Sequence, residues 1–137
     1  AEQSIKNFCN TIINAAQKRS QLSIVNDQWC TPTYVPHLVD AIEALMKQDA
    51  AGTFHVVNEG HTNWYEFGRQ LLALAGIPTP VIPICSADYP AVATRPSYSV
   101  LDTSKFVAAT GNPLPTWEEA LAHYVSEQPL ALSNHSR

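Results

Sequence analysis

Five tyrosines, five histidines and three cysteines are the side chains of this sequence best able to move a proton or attack a substrate. A tyrosine gives up its proton near neutral pH when a lysine four residues on lowers the pKa of the phenol, so that spacing is the first to test. Tyr34, Tyr65, Tyr89, Tyr98 and Tyr124 are followed there by Leu38, Arg69, Ala93, Asp102 and Gln128. Only Tyr65 gains a cation, and a guanidinium does not share its proton as an ammonium does. Tyr65 and Arg69 therefore read as a pair on a helix surface. The histidines contain no HExxH and no other close ligand pair, so no metal site is expected. His55 lies in an apolar run and reads as a satisfied core or edge residue, His37 and His61 as solvent-facing, and His135 as part of a polar tail. Cys30, beside Trp29, would need a base to become a nucleophile, and His37 is the local candidate; a half-buried, unreactive thiol is the plainer reading. There is no GxSxG elbow for a serine hydrolase. The five glycines are too far apart to make the glycine-rich turn that seats a dinucleotide pyrophosphate. No redox apparatus is legible, and no cofactor is expected to bind this chain by itself.

The elements that must position any site come from the apolar spacing. Ile5, Phe8, Ile12, Ile13 and Ala16 predict an amphipathic helix over residues 4–19. A short β-rich run, Leu22 to Val25, follows it. Thr33 is placed to N-cap a second helix whose inner face is Leu38, Ala41, Ile42, Leu45 and Met46. Residues 53–57 have the β-branched and aromatic content of a buried strand. Asn63 and Glu66 have capping-box spacing before a helix bearing Trp64, Phe67, Leu71 and Leu74, and Gly76 suits a left-handed end to it. Val81 to Ile84 reads as an edge strand, because Pro83 cannot donate to a ladder. Residues 85–100 form a long proline-bearing loop, the kind of segment that carries function in compact domains. Asp102 caps a short helix closed by Gly111, and Thr116 with Glu119 makes a capping box for a last helix that turns Trp117, Ala120, Leu121, Tyr124 and Val125 inward. The order αβαβαβαα is an α/β arrangement with a thin, three-stranded sheet.

Bulk properties bound what the chain does. A length of 137 residues and 45% hydrophobic content suit one soluble domain. No apolar run is long enough for a membrane span. A net charge of −4 with scattered Lys and Arg argues against nucleic acid as a partner. Three widely spaced cysteines suggest neither disulfides nor structural zinc and fit a reduced, cytoplasmic setting. No signal peptide is visible, and the lack of an initiator Met fits either processing or a fragment.

Four segments in order resemble the dTDP-4-dehydrorhamnose reductase family of the extended short-chain dehydrogenase/reductases. They are Leu22 to Gln28 followed by Pro32-Thr33; Gly52 to Asn58 leading to Trp64-Tyr65-Glu66-Phe67; Arg95-Pro96, Ser99, Leu101-Asp102 and Ser104-Lys105; and Leu114-Pro115 with Trp117 and Ala120-Leu121. The resemblance implies the C-terminal part of such an enzyme, an α/β fold with few strands, flanking helices and an incomplete Rossmann sheet. Residues 1–127 would be the sugar-nucleotide-binding region and residues 128–137 a flexible tail. The parent reaction would be the NADPH-dependent reduction of a dTDP-linked 4-keto sugar, the last step of dTDP-L-rhamnose synthesis. This chain would be inactive alone because the GxxGxxG and YxxxK segments are absent from it. Its partners would be the dTDP-sugar, an N-terminal Rossmann portion and, as a homo-oligomer, further copies of itself. The resemblance points to Arg95, Tyr98, Ser99 and Thr33 as substrate-binding residues, with Arg95 suited to a diphosphate. Each also has a plain reading: a surface arginine, loop packing for Tyr98, an N-cap for Thr33. Trp64 and Trp117 read as core anchors and Lys105 as a solvated helix position. Two alternatives stay open, a non-catalytic regulatory subunit or scaffold of the same fold, and a fragment of another nucleotide-sugar epimerase or dehydratase. The sequence departs from the family at Trp29-Cys30, where an aromatic-Gly pair is usual, and at His37, where Asp is common; a cysteine takes positive φ less freely than glycine.

Overall fold

The computed structural model describes residues 7–91 and 93–128. Asn7 accepts the amide of Asn10 at 2.8 Å and opens α1, Phe8–Ala16, which buries Ile13 and Ala16. The helix is shorter than the periodicity predicts: the polar run Gln17-Lys18-Arg19 lies beyond its last turn, and residue 4 lies outside the described residues. β1, Leu22–Val25, pairs in parallel with β4, Val81–Ile84, so that Leu22 faces Val81 and Val25 faces Ile84. β4 has one neighbour among the described residues, as suits a strand that carries Pro83. Helix α3, Trp64–Leu74, lies across this pair. It approaches so closely that a Cβ on Gly68 would sit 2.7 Å from Ile24 Cδ1, so the glycine sets the helix-to-strand distance.

The main core gathers Ile13, Leu22, Ile24, Phe67, Leu71 and Trp117 among its members. Leu71 and Leu72 are almost fully enclosed, each removal from water being worth about 1.5–3 kcal/mol. Their helix starts on Asn63, whose side chain accepts the Glu66 amide at 2.9 Å, and ends in Gly76 at φ 68°. The last helix, α5, Trp117–Glu127, opens on the expected capping box between Thr116 and Glu119 and contributes Trp117, Ala120 and Leu121 to the interior.

A second, smaller core packs Ala41 of α2, Val35–Lys47, against Phe106 of α4, Ser104–Thr110, and against Leu114. Here the structure corrects several expectations. There is no three-stranded sheet among the described residues. A second two-stranded ladder, antiparallel, joins β2, Trp29–Cys30, to β3, Thr62–Asn63. Two-residue strands carry no periodicity to read. Residues 53–57 lie in no ladder. Phe54 and Val56 pack on the second core while His55 points to solvent, so their apolar alternation reflects a packed coil. Thr33 does not cap α2. The N-cap is Tyr34, with no side-chain cap bond; Pro36 in the first turn has no amide to satisfy, and the Tyr34 amide goes to Asn58 Oδ1 at 2.9 Å. Ile42 and Met46, expected inside, are 48% and 75% exposed, because α2 carries two apolar stripes and only the one through Ala41 is covered. Thr103, not Asp102, holds the N-cap position of α4, although Asp102 does accept the Ser104 amide at 2.8 Å. The tail expected over residues 128–137 lies outside the described residues from position 129 onward.

Candidate functional site

Two loops leave the carboxyl ends of the parallel strands β1 and β4, the edge at which open α/β sheets bind ligands. They are tied together. The Asp27 carboxylate accepts the Ser86 amide at 2.9 and 3.1 Å and the Ser86 hydroxyl at 2.6 Å, and Ser86 Oγ receives the Gln28 side-chain amide at 2.8 Å. The hydroxyl first and the amide second hold the Asp27 carboxyl below its ordinary value, so the tie keeps its charge at neutral pH.

Beside this tie opens a cleft of about 390 Å³. α1 supplies Phe8 to its wall, β1 supplies Ile24, and Gln28 follows just past the strand. Trp64 stands at the start of α3, with its ring centroid 4.6 Å from that of Phe8. Tyr89 and Arg95 come from the long loop over residues 85–100. Arg95 has no ion-pair partner among the described residues, so its guanidinium is available to an anion. Aromatic walls, a guanidinium and a short row of amide and hydroxyl groups make a cleft for a ligand with a flat apolar ring and an anionic group.

Of the four expected binding residues, the structure places Arg95 on this cleft and the others elsewhere. Tyr98, 63% exposed, bridges to Trp29, and the Ser99 amide donates to Trp29 O at 2.8 Å, so the pair pins the loop to β2. Thr33 is half-buried ahead of α2 and does not line the cleft. Sequence reasoning assigned no binding role to Phe8, Gln28, Trp64 or Tyr89. Asp27-Gln28 stood out as a motif, but nothing in the chain's order says that Ser86 meets it.

A second, shallower concavity of about 400 Å³ lies between α2 and the loop before α5, with His37, Asp40, Phe106 and Leu114 on its walls. His37 is not simply solvent-facing. Asn58, 1% exposed, donates to its Nδ1 at 2.9 Å and to Pro115 O at 2.9 Å, and His37 Nε2 lies 3.2 Å from His123 Nδ1. Because the Tyr34 amide occupies Asn58 Oδ1, the amide nitrogen must face His37, which makes Nδ1 the acceptor and Nε2 the donor. Tyr34 also meets Glu127 through its hydroxyl. The network ties α2, α5 and the 53–59 segment into one body. No group of three or more His, Cys, Asp and Glu able to hold a metal occurs among the described residues.

Two of the thiols, Cys9 and Cys30, are poorly suited to act as nucleophiles. Burial pushes Cys9 up to about 11 and raises Cys30 as well, so both stay protonated at neutral pH. Cys30 sits in β2, and no positive φ is needed where the resembling family has glycine; Asp49 is the one non-glycine residue with positive φ among those described. Arg69 is held by Glu66 at 2.9 Å on the surface of α3, as its spacing suggests. No glycine-rich turn of the kind that seats a dinucleotide pyrophosphate occurs among the described residues. The turns leading into α2 and α3 contain no glycine pair, and α2 opens on Tyr34 with Pro36 in its first turn. No helix of the described residues is long and apolar enough to cross a membrane.

With this geometry in hand, comparison with known proteins is specific. The sequence profile of the RmlD substrate binding domain matches residues 2–129. The spore coat polysaccharide biosynthesis protein SpsK of Bacillus subtilis is 32% identical over 125 residues, which cover 91% of this chain and 44% of that protein. The dTDP-4-dehydrorhamnose reductase of Escherichia coli is 33% identical over 132 residues, 88% of this chain and 44% of that enzyme. The crystal structure of a dTDP-4-dehydrorhamnose reductase from Bacillus anthracis in complex with NADP superposes with a TM-score of 0.87 at 32% identity, over 92% of this chain and 45% of that one. The chain thus spans less than half the length of the relatives it matches. In sequence and in fold it belongs to the RmlD substrate binding domain family, the C-terminal substrate-binding portion of the dTDP-4-dehydrorhamnose reductases.

Proposed function

We propose that this chain grips and orients a dTDP-linked 4-keto sugar for reduction to dTDP-L-rhamnose, with the hydride and proton donors on polypeptide outside it. The observation that carries the reading is the cleft at the carboxyl ends of β1 and β4, where Arg95, with no ion-pair partner among the described residues, lines the wall together with Phe8, Trp64 and Tyr89. A guanidinium presents a planar fork of N–H donors that matches two phosphate oxygens at once, and aromatic walls suit a nucleobase. Fixing the nucleotide end of the substrate removes the rotational freedom of the sugar at the other end, which is a contribution to rate made without touching the reacting bond. The parent enzyme would be NADPH-dependent, and NADPH would be held by the other portion. The same reading makes the chain cytoplasmic and catalytically silent alone.

Isothermal titration of the chain with dTDP tests this. Arg95→Ala should weaken binding by about tenfold to a hundredfold, the scale of one or two charge-assisted hydrogen bonds, with Arg95→Lys in between. Equal affinities for all three proteins would refute the assignment.

A second reading, a non-catalytic subunit that binds protein, draws on one observation. Val35, Val39, Ile42 and Met46 form an exposed apolar stripe along α2. Light scattering on purified protein separates the two: a monomer that Ile42→Lys leaves unchanged speaks against the second reading, and self-association abolished by that substitution speaks for it.

A further inference from the structure

The tie between Asp27, Ser86 and Gln28 does more than join two loops. An ionised carboxylate only accepts hydrogen bonds, so the Ser86 hydroxyl, 2.6 Å from Asp27 Oδ1, must spend its single proton there. Toward Gln28 it can therefore only accept, and the side-chain atom facing it at 2.8 Å must be the amide nitrogen. An isolated glutamine rotates its amide end for end at little cost; this one does not. Its carbonyl oxygen and its second N–H have no hydrogen-bond partner among the described residues, and the residue lines the same cleft as Phe8, Trp64, Tyr89 and Arg95. The cleft thus holds one acceptor and one donor in a set order beside aromatic rings.

Resting on the binding role proposed for this cleft, we infer that Gln28 is its specificity-determining residue and reads the imide edge of a thymine or uracil ring. The Gln28 carbonyl accepts from the ring N3–H, and its free N–H donates to a ring carbonyl. Cytosine presents an acceptor at N3 and an amino donor beside it, the reverse order. To pair with cytosine the amide must flip, and flipping sets the Gln28 carbonyl against the Ser86 lone pairs. Rotation about the glycosidic bond exchanges the two groups that flank N3 but leaves the cytosine N3 acceptor against the Gln28 carbonyl. Asp27 and Ser86 act as positioning residues, because they select the base through the orientation they impose on Gln28.

The experiment is a titration of the whole chain with dTDP, UDP and dCDP, read by calorimetry. Wild type should bind dTDP and UDP within about threefold of each other and dCDP about tenfold more weakly, the scale of one or two neutral hydrogen bonds lost. Ser86→Ala frees the amide and should bring dTDP and dCDP within about twofold of each other while the affinity for dTDP changes little. Gln28→Met, similar in shape but without polar atoms, should abolish the preference as well; it serves as the control should Ser86→Ala disturb the loop. Arg95→Ala should weaken all three ligands alike and keep the preference. A dCDP affinity equal to that of dTDP in wild type, or a preference that survives both Ser86→Ala and Gln28→Met, overturns the role of Gln28 while leaving Arg95-dependent binding intact. If none of the three diphosphates binds, the role of the cleft falls, and that of Gln28 with it.

Discussion

Asp27 shows how much of the site's order rests on one carboxylate. Its pKa is depressed by the Ser86 hydroxyl and amide, so the folded state holds the charged form more firmly than the unfolded chain does. The stability this adds is present above the unfolded pKa and is lost as pH falls through the lower, folded value. The Ser86 amide resonance should therefore stay fixed from about pH 8 to 5 and move only below about 3.9, the ordinary aspartate value. A midpoint near pH 5 or above would mean that the tie is not formed as described. Asn58 has a comparable role at the second core, where its three hydrogen bonds fix the tautomer of His37. Neither tie is legible from spacing. Asp27 and Ser86 are brought together by the parallel pairing of β1 with β4, and Asn58 meets His37 and Pro115 across separate segments. Arg95 was expected at the site from its place in a proline-rich loop, and it lines the cleft; Tyr98 and Ser99, on the same loop, contact Trp29.

Helices were readable wherever a cap and a repeating apolar face agree. α3 and α5 begin at Asn63 and Thr116, as their Asn-x-x-Glu and Thr-x-x-Glu patterns predict, since the cap bonds form within four residues and need no tertiary partner. Thr116→Ala should accordingly lower stability by about 1 kcal/mol, measured as a shift in urea midpoint at constant slope, with Thr116→Ser close to wild type. No loss on Thr116→Ala would show that packing of Trp117 alone sets the start of α5. Elements that depend on a partner were read less well. The 53–57 segment has strand-like residues but no strand beside it among those described, and β2 with β3 exists only because two distant dipeptides meet. In α2 the apolar spacing is helical on two faces, so periodicity could not tell the covered stripe from the exposed one.

At the scale of the whole molecule, the fold is a pair of small cores that present one cleft at the ends of two parallel strands. The α/β class and the family were legible from four ordered segments, whereas the division into two two-stranded ladders was not. The chain spans less than half of the length of its relatives, and under the function proposed above substrate binding and redox chemistry are divided between polypeptide segments. That division is open to one direct measurement, a heteronuclear NMR titration of the chain with dTDP-L-rhamnose and, separately, with NADPH. The nucleotide sugar should shift resonances of Phe8, Gln28, Trp64 and Arg95 in a saturable manner, and NADPH should shift none of them. Saturable shifts with NADPH at the cleft, or dTDP-L-rhamnose perturbations confined to residues outside it, would contradict the role assigned to this chain.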